Sequence, residues 1–401
     1  MKKSSYLRIG TEYYKHGEVP LHSGDTYKTL LKWRKSEIIT DEGKEFLNTI
    51  EKYDGFCLIP SHTEYQRCIK NFYNKYEKLE HKFEPGDFPM TKVFLIHIFG
   101  EQYELGMDYL TILWRYPTQI LPILCLVSEE RKTGKTTFLN WLKLIFQGNM
   151  TINKNEDFRS RFNSDWADKL IVSVDEVLLD KKEDSERIKN LSTAVTYKTE
   201  SKGVDKVESY FFGKFILCSN NEDNFIQIDS SEIRYWIRKV PALKDEGENP
   251  DLMQDLKMEL PFFMHYLNHR EIISKRHTRM WFTKELIYTE ALGRLVSGNR
   301  TFVNREIEEI LLDDFIKFEA EVLKYSLSDL VEKLSKNNIK VSSTKVSEVL
   351  RTNFGLESKN GSYNKFYLAL TPNGNTYMVQ ETKQKGRYYT FLKEDYMDST
   401  I

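Results

Sequence analysis

The stretch "ILCLVSEERKTGKTTFLNWL" (123–142) constrains the fold more than any other part of the chain. A short run apolar at every position suits a strand covered on both faces, as central parallel strands are. A polar loop follows and closes on Thr133, Gly134, Lys135, Thr136 and Thr137. Phe138, Leu139, Leu142, Ile145 and Phe146 then recur at helical spacing and would bury one side of a helix. Strand, loop and helix in this order form the setting of a phosphate-binding loop. Such a site needs backbone N–H groups, a lysine that reaches the β and γ oxygens, and a hydroxyl for Mg²⁺. The loop 128–134, Lys135 and Thr136 supply all three. The pattern G-x-x-x-x-G-K-[ST] is met except at its first glycine, where Glu129 stands.

Three further segments extend this beginning. "LIVSVDEV" (170–177) is an apolar strand that ends in two acids. Asp175 at its end can hold Mg²⁺, and Glu176 can polarise an attacking water. A strand running into an acidic loop is also common in α/β proteins without any such role. "KFILCSNN" (214–221) is a third buried run, and Asn220 after it suits a neutral contact to a γ-phosphate and the water. Asparagine is frequent in turns on its own account. "SSEIRYWIRKVP" (230–241) sets Arg234 and Arg238 among aromatic residues. An arginine at a subunit edge can neutralise transition-state charge on a neighbour's nucleotide. Lysine loop, acid pair, asparagine and arginine follow one another in order, which makes ATP with Mg²⁺ the expected cofactor pair.

Charge and cysteine content narrow the classes. Lys and Arg together number 59 against 60 for Asp and Glu, so no global basic field points to nucleic acid, and any such contact must be local. The longest apolar runs fall far short of the ~20 residues that span a bilayer. The start, "MKKSSYLRIGTEYY", lacks the apolar stretch of a signal peptide. Cys57, Cys68, Cys125 and Cys218 form no CxxC pair, which suits a reducing cytosol and a cytoplasmic protein without membrane contact. His62 lies between Cys57 and Cys68, but no second close ligand pair follows for a metal.

Four regions are expected from the patterning. Residues 1–88 read as a mainly helical N-terminal part, on the rhythm of Tyr65, Cys68, Ile69, Phe72 and Tyr76, and end in the turn cluster "EPGDFP". Residues 89–245 form the α/β nucleotide-binding core, with a helical lead-in over 89–118. A helical linker or lid spans 246–319. Residues 320–401 show helix, turn, helix and hairpin, the order of a winged helix of α+β class. In its second helix Lys345 and Arg351 avoid the apolar stripe Val346–Val349–Leu350 and are candidate phosphate contacts.

Beyond these physical readings, the chain resembles the superfamily 3 helicases. The likeness is strongest to primase–helicase proteins of phages and mobile elements that carry a poxvirus-type helicase domain. It rests on the segments already quoted, with "FNSDWADKLIVSVDEVLL", "FFGKFILCSNN" and "KMELPFFMHYL", and covers about Thr91 to Thr289. The resemblance implies an AAA+-like P-loop ATPase in a homo-oligomeric ring, usually a hexamer, that translocates on single-stranded DNA. It implies Lys135 and Thr136 as the Walker A pair, Asp175 and Glu176 as Walker B, Asn220 as sensor 1 and Arg234 as the arginine finger, with Arg238 as the fallback. Single-stranded or forked DNA, and a separate primase or replication protein, are the partners it suggests. It also implies that a hairpin in "TYKTESKGVDKVESYFF" (196–212) grips DNA in the channel through Lys198, Lys202 and Lys206. Read by residues alone, Glu200, Asp205 and Glu208 offset those lysines, and a solvated edge hairpin serves as well.

Two departures qualify the resemblance. Glu129 replaces a glycine that the loop uses for turning, which works if its φ is negative and its carboxylate points away. The N-terminal part has no D-x-D or D-x-E on an apolar strand for a two-metal primase site, so the helicase half alone is expected. The rival readings are a replication initiator or DNA-binding scaffold that uses ATP only to assemble, and an ATPase that remodels protein.

Overall fold

The computed structural model describes residues 5–20, 26–159, 166–179, 182–199, 207–222, 225–226, 228, 232–243, 249–370 and 377–396. The chain forms two compact units. One comprises Met1–Val177, Ile188–Asn220 and Ile233–Ile287; the other comprises Leu178–Arg187, Asn221–Glu232 and Tyr288–Ile401.

The first unit opens with strands, which corrects the helical expectation for residues 1–88. β1 (Tyr6–Ile9), β2 (Glu12–Pro20) and β3 (Thr26–Trp33) are followed by α1 (Lys35–Glu42), β4 (Glu51–Tyr53), β5 (Gly55–Cys57), β6 (Cys68–Ile69) and β7 (Phe72–Asn74). They make two small sheets, ordered β3-β2-β1-β4 and β5-β7-β6. The supposed helix over 64–79 is a two-residue hairpin. Cys68 pairs with Tyr73 and Ile69 with Phe72, while Lys70 (φ 47°) and Asn71 (φ 64°) take the left-handed turn between them. Such a turn matches the twist of the flanking strands, and asparagine tolerates its geometry. Tyrosines at near-helical spacing mimicked an amphipathic helix, while their β preference reported the true state.

His62 is fixed in this region by its surroundings. Its Nδ1 donates to the Trp114 carbonyl at 2.6 Å, so its Nε2 accepts from the Tyr76 hydroxyl at 2.6 Å. The ring stacks on Trp114, 4.6 Å between centroids. Both nitrogens are thus engaged by the fold.

The α/β core follows. α2 (Pro89–Phe99) and α3 (Tyr103–Arg115) lead into β8 (Ile123–Val127), α4 (Lys135–Phe146), β9 (Met150–Asn153), α5 (Asn155–Arg159) and β10 (Ile171–Val174). Next come α6 (Lys182–Ser192), the hairpin β11 (Thr196–Thr199) with β12 (Val207–Tyr210), then β13 (Lys214–Ser219) and β14 (Tyr235–Lys239). Five strands form a sheet in the order β14-β8-β13-β10-β9, and every pairing is parallel. β8, β10 and β13 are buried along their whole length, as strands covered on both faces must be. The core contains Phe138, Leu139, Trp141, Leu142 and Ile145 of α4 beside Leu124, Leu126, Ile216 and Trp236 of the sheet.

The linker expected over 246–319 is not a separate element. α7 (Leu252–His269) sends Leu256, Phe263, Met264 and Leu267 into the core just described, and α8 (Lys284–Ile287) adds Ile287. Among the described residues no helix is long and apolar enough to cross a membrane.

In the second unit, α9 (Glu290–Phe318) is followed by β15 (Val322–Tyr325), α10 (Leu327–Lys336), α11 (Ser343–Thr352), β16 (Lys359–Leu370) and β17 (Tyr377–Leu392). The strands form an antiparallel sheet in the order β15-β17-β16. α10 begins with a capping box: the Ser326 hydroxyl accepts from the Asp329 N–H, and the Asp329 carboxylate accepts from the Ser326 N–H. Leu330 and Leu334 of α10 meet Val346, Val349 and Leu350 of α11, and Ile307, Leu311 and Phe315 of α9 enter the same core. The unit therefore begins earlier than 320, because α9 supplies one wall of it.

Candidate functional site

Strand order brings the sequence motifs together. β8 lies between β14 and β13, and β10 lies beside β13, so the loops after β8, β10 and β13 leave the same edge of the sheet side by side. In parallel α/β sheets that carboxyl edge is where ligands bind. A cavity of about 440 Å³ opens there, lined by Arg131 to Thr137, Asp175, Glu176, Cys218, Ser219 and Asn220.

The loop between β8 and α4 has two left-handed residues, Lys132 (φ 55°) and Gly134 (φ 82°). Glu129 is not among the positive-φ residues, is exposed, and does not line the cavity. The turning is done three and five residues further on, so the loop does not need its first glycine. Gly134 is favoured by this left-handed φ, which side chains rarely adopt; the space beside it, bounded by Phe94 Cε2 at 3.4 Å and Ile98 Cδ1 at 3.9 Å, is ordinary van der Waals contact.

Lys135 starts α4 and is buried. Its ammonium donates to the Ser128 hydroxyl and, at 2.9 Å, to the Thr133 hydroxyl. Thr136 Oγ1 donates to Asp175 Oδ2 at 2.9 Å, joining α4 to the end of β10. Glu176 holds a left-handed backbone (φ 56°), its N–H donating to Asp175 Oδ1 at 3.2 Å. Asn155 Nδ2 donates to the Glu176 carbonyl at 3.3 Å. A non-glycine residue so placed costs about 1 kcal/mol or more, and such strain gathers at working sites. Asn220 sits exposed at the cavity wall just after β13. Burial pushes the Cys218 thiol well up, with Asp175 adding to the rise and Lys135 opposing it.

These donors match Mg²⁺·ATP in kind. A helix N-terminus and a lysine suit phosphates, and a hydroxyl beside a carboxylate suits Mg²⁺. Among the described residues no cluster of three His, Cys, Asp or Glu side chains could hold a metal alone.

The remaining candidates lie elsewhere. Arg234, just before β14, is half-buried and does not line the cavity. Arg238 is buried in β14, its guanidinium bound to Glu101, including a 3.3 Å contact to Oε2. Taken up within its own chain in this way, Arg238 does not suit the fallback finger role. Lys198 lies on β11 opposite Glu208 of β12, on a hairpin whose Tyr197 stacks against Trp166 at 5.8 Å. Lys202 and Lys206 lie outside the described residues. Arg351 is exposed on α11, whereas the Lys345 side chain is only 13% exposed and its ammonium lies 3.8 Å from Glu348. Lys345 therefore does not present its charge as the sequence reading expected.

Sequence reasoning named 128–134 as the loop but gave no side-chain role to Ser128, Arg131 or Lys132, and it missed Ser219. It also missed His97 of α2, whose Nε2 donates to the Thr133 carbonyl at 3.0 Å. No local pattern signals a contact between helix and loop across 36 residues.

A family described as "Family of unknown function (DUF5906)" matches residues 126–238, the span that holds every residue lining the cavity. No curated protein matches the chain. Among solved structures, the apo structure of the NrS-1 C terminal region (305–718) is 15% identical over 96% of this chain and 95% of that chain, with a TM-score of 0.58. An A form apo structure of the same region is 15% identical over 96% of each chain, also with a TM-score of 0.58. A JCV helicase bound to a thiazolopyridine acetamide is 12% identical over 54% of this chain and 63% of that one; its TM-score of 0.30 carries no weight. The likeness to the NrS-1 region covers 96% of this chain, and the fold they share is of mixed α/β class with a parallel sheet in this chain.

Proposed function

We propose that the chain is an ATP-driven DNA helicase or translocase of superfamily 3 type, acting as a cytoplasmic ring in phage or mobile-element DNA replication. The reading rests above all on the hydrogen bond from Thr136 to Asp175, 2.9 Å long, beside Lys135, Glu176 and Asn220 around one cavity. A decayed or accidental loop has no reason to keep a metal-binding hydroxyl and carboxylate in register.

In this account Lys135 and the backbone N–H groups of 134–137 hold the β and γ phosphates, while Thr136 and Asp175 hold Mg²⁺. Bound Mg²⁺·ATP supplies the phosphoryl group and the charge that offsets its oxygens. Glu176 polarises the attacking water and Asn220 orients it. Arg234 reaches the nucleotide of the next subunit. The β11–β12 hairpin grips single-stranded DNA through Lys198, and the sequence adds Lys202 and Lys206 to that contact. The second unit, read as a winged helix, meets duplex or forked DNA through Arg351. A separate primase or replication protein completes the set of partners.

Strand displacement from a forked duplex tests the proposal against its main rival. ATP-dependent displacement by the full chain is expected, and Glu176→Gln should bind the fork without displacing a strand. Tight ATP-dependent DNA binding with no displacement by the unmodified chain would select the initiator or scaffold instead.

A further inference from the structure

We infer that His97 is a positioning residue for the nucleotide loop, acting through the peptide that joins Thr133 to Gly134; this rests on the ATP-site reading above. A carbonyl can only accept, so the 3.0 Å contact between His97 Nε2 and the Thr133 oxygen places the imidazole proton on Nε2. No peptide bond in the described chain is cis. In a trans peptide the C=O and the following N–H point in opposite directions. With the Thr133 carbonyl turned toward α2, the Gly134 N–H is turned away from α2. The helix contributes no residue to the cavity, while Thr133 and Gly134 both line it. α2 therefore backs the loop, and the Gly134 N–H is aimed at the side where phosphate binds.

The same residue reaches the lysine. Thr133 Oγ1 accepts from Lys135 Nζ at 2.9 Å, so fixing the Thr133 backbone also fixes the hydroxyl that holds the ammonium. The packing agrees with this role. Phe94, His97 and Ile98 share one face of α2, at i, i+3 and i+4, and all three approach the space beside Gly134 within 4.0 Å. The left-handed geometry of Gly134 leaves that peptide free to rotate unless something holds it, since glycine supplies no side chain to resist. His97 is the holder. It acts on the loop alike in ground and transition states, so its loss weakens binding and spares the chemical step.

The test compares His97→Leu with His97→Gln in the full chain, reading Mg·ATP affinity by titration and turnover at saturating ATP. A glutamine amide can donate from nearly the position of Nε2; leucine cannot. His97→Leu should weaken affinity about tenfold, the scale of one lost neutral hydrogen bond. Saturated turnover should stay within about twofold, and His97→Gln should recover affinity to within about threefold of the parent. Equal affinity in His97→Leu and the parent overturns the inference while leaving the site intact. A His97→Gln protein that melts like the parent but binds as poorly as His97→Leu also overturns it. If the parent chain and Lys135→Ala both fail to bind Mg·ATP, the site reading falls, and the inference falls with it.

Discussion

Thr136 at the start of α4 and Asp175 at the end of β10 meet through a 2.9 Å hydrogen bond that spans 39 positions of sequence. The bond exists because β13 separates β8 from β10 and both neighbours run parallel to it, so their outgoing loops converge. A hydroxyl and a carboxylate at this separation can share one Mg²⁺ shell, and Glu176 follows on a strained backbone aimed by its neighbours.

The two acids should separate on substitution. Glu176→Gln keeps the shape of the site and should bind Mg·ATP normally while hydrolysing it at least about a hundredfold more slowly, as loss of a general base does. Asp175→Asn should also weaken the Mg²⁺ dependence of binding, because it removes charge from the metal shell. Equal and mild effects from both, read by nucleotide titration and turnover, would remove the assignment.

Arg234 does not line the cavity of its own chain, and in the proposed ring it acts on the nucleotide of the next subunit. Arg234→Ala should bind ATP and fail to hydrolyse it. Mixed with Lys135→Ala, it should regain part of the activity through hybrid interfaces. Full turnover by a monomer at high dilution contradicts a finger in trans.

Acid should loosen the contact between the N-terminal strands and the core. Burial pushes His62 down from 6.5 to about 4, with His81 and Lys214 lowering it further and the Trp114 carbonyl opposing. Burial also lowers His81. In the unfolded chain both imidazoles take protons near the ordinary value. Stability is therefore complete above about pH 6.5 and is lost as pH falls toward 4, by about 3 kcal/mol for His62. Urea midpoints measured from pH 7 to 4.5 should show a flatter slope in His62→Gln. An unchanged slope would mean that His62 is not a source of the acid sensitivity.

On the second unit, Arg351→Ala should lower affinity for forked DNA about threefold or more and reduce the salt slope by about one contact. Lys345→Ala should do neither, since that ammonium is turned toward Glu348. The opposite ranking would show that Lys345 swings out on binding and that the exposed arginine is idle.

The residues around the cavity were largely legible in the sequence because they stand at strand ends. A run such as "ILCLV" announces a covered strand, and the polar residues after it must emerge at the sheet's edge. The order in which strands pair was not legible, nor was the path by which His97 reaches Thr133, since both depend on packing between distant segments. The N-terminal strands were misread because Tyr65, Phe72 and Tyr76 fall near a helical period, while the deciding residues are the turn pair Lys70 and Asn71. Lys345 was misjudged for a related reason. Helical phase shows which residues leave the core stripe, but not which neighbour then claims the side chain.

In the proposed motor this cavity turns ATP hydrolysis into work on single-stranded DNA. Mg²⁺-dependent ATP turnover by the full chain, titrated with single-stranded DNA, tests it most directly. Turnover should rise about tenfold or more with DNA, and Lys135→Ala should show none at any DNA concentration, because among the described residues Lys135 is the buried lysine lining the cavity, placed at the start of α4 to bridge the β and γ oxygens. Hydrolysis indifferent to DNA, or normal turnover by Lys135→Ala, would contradict it.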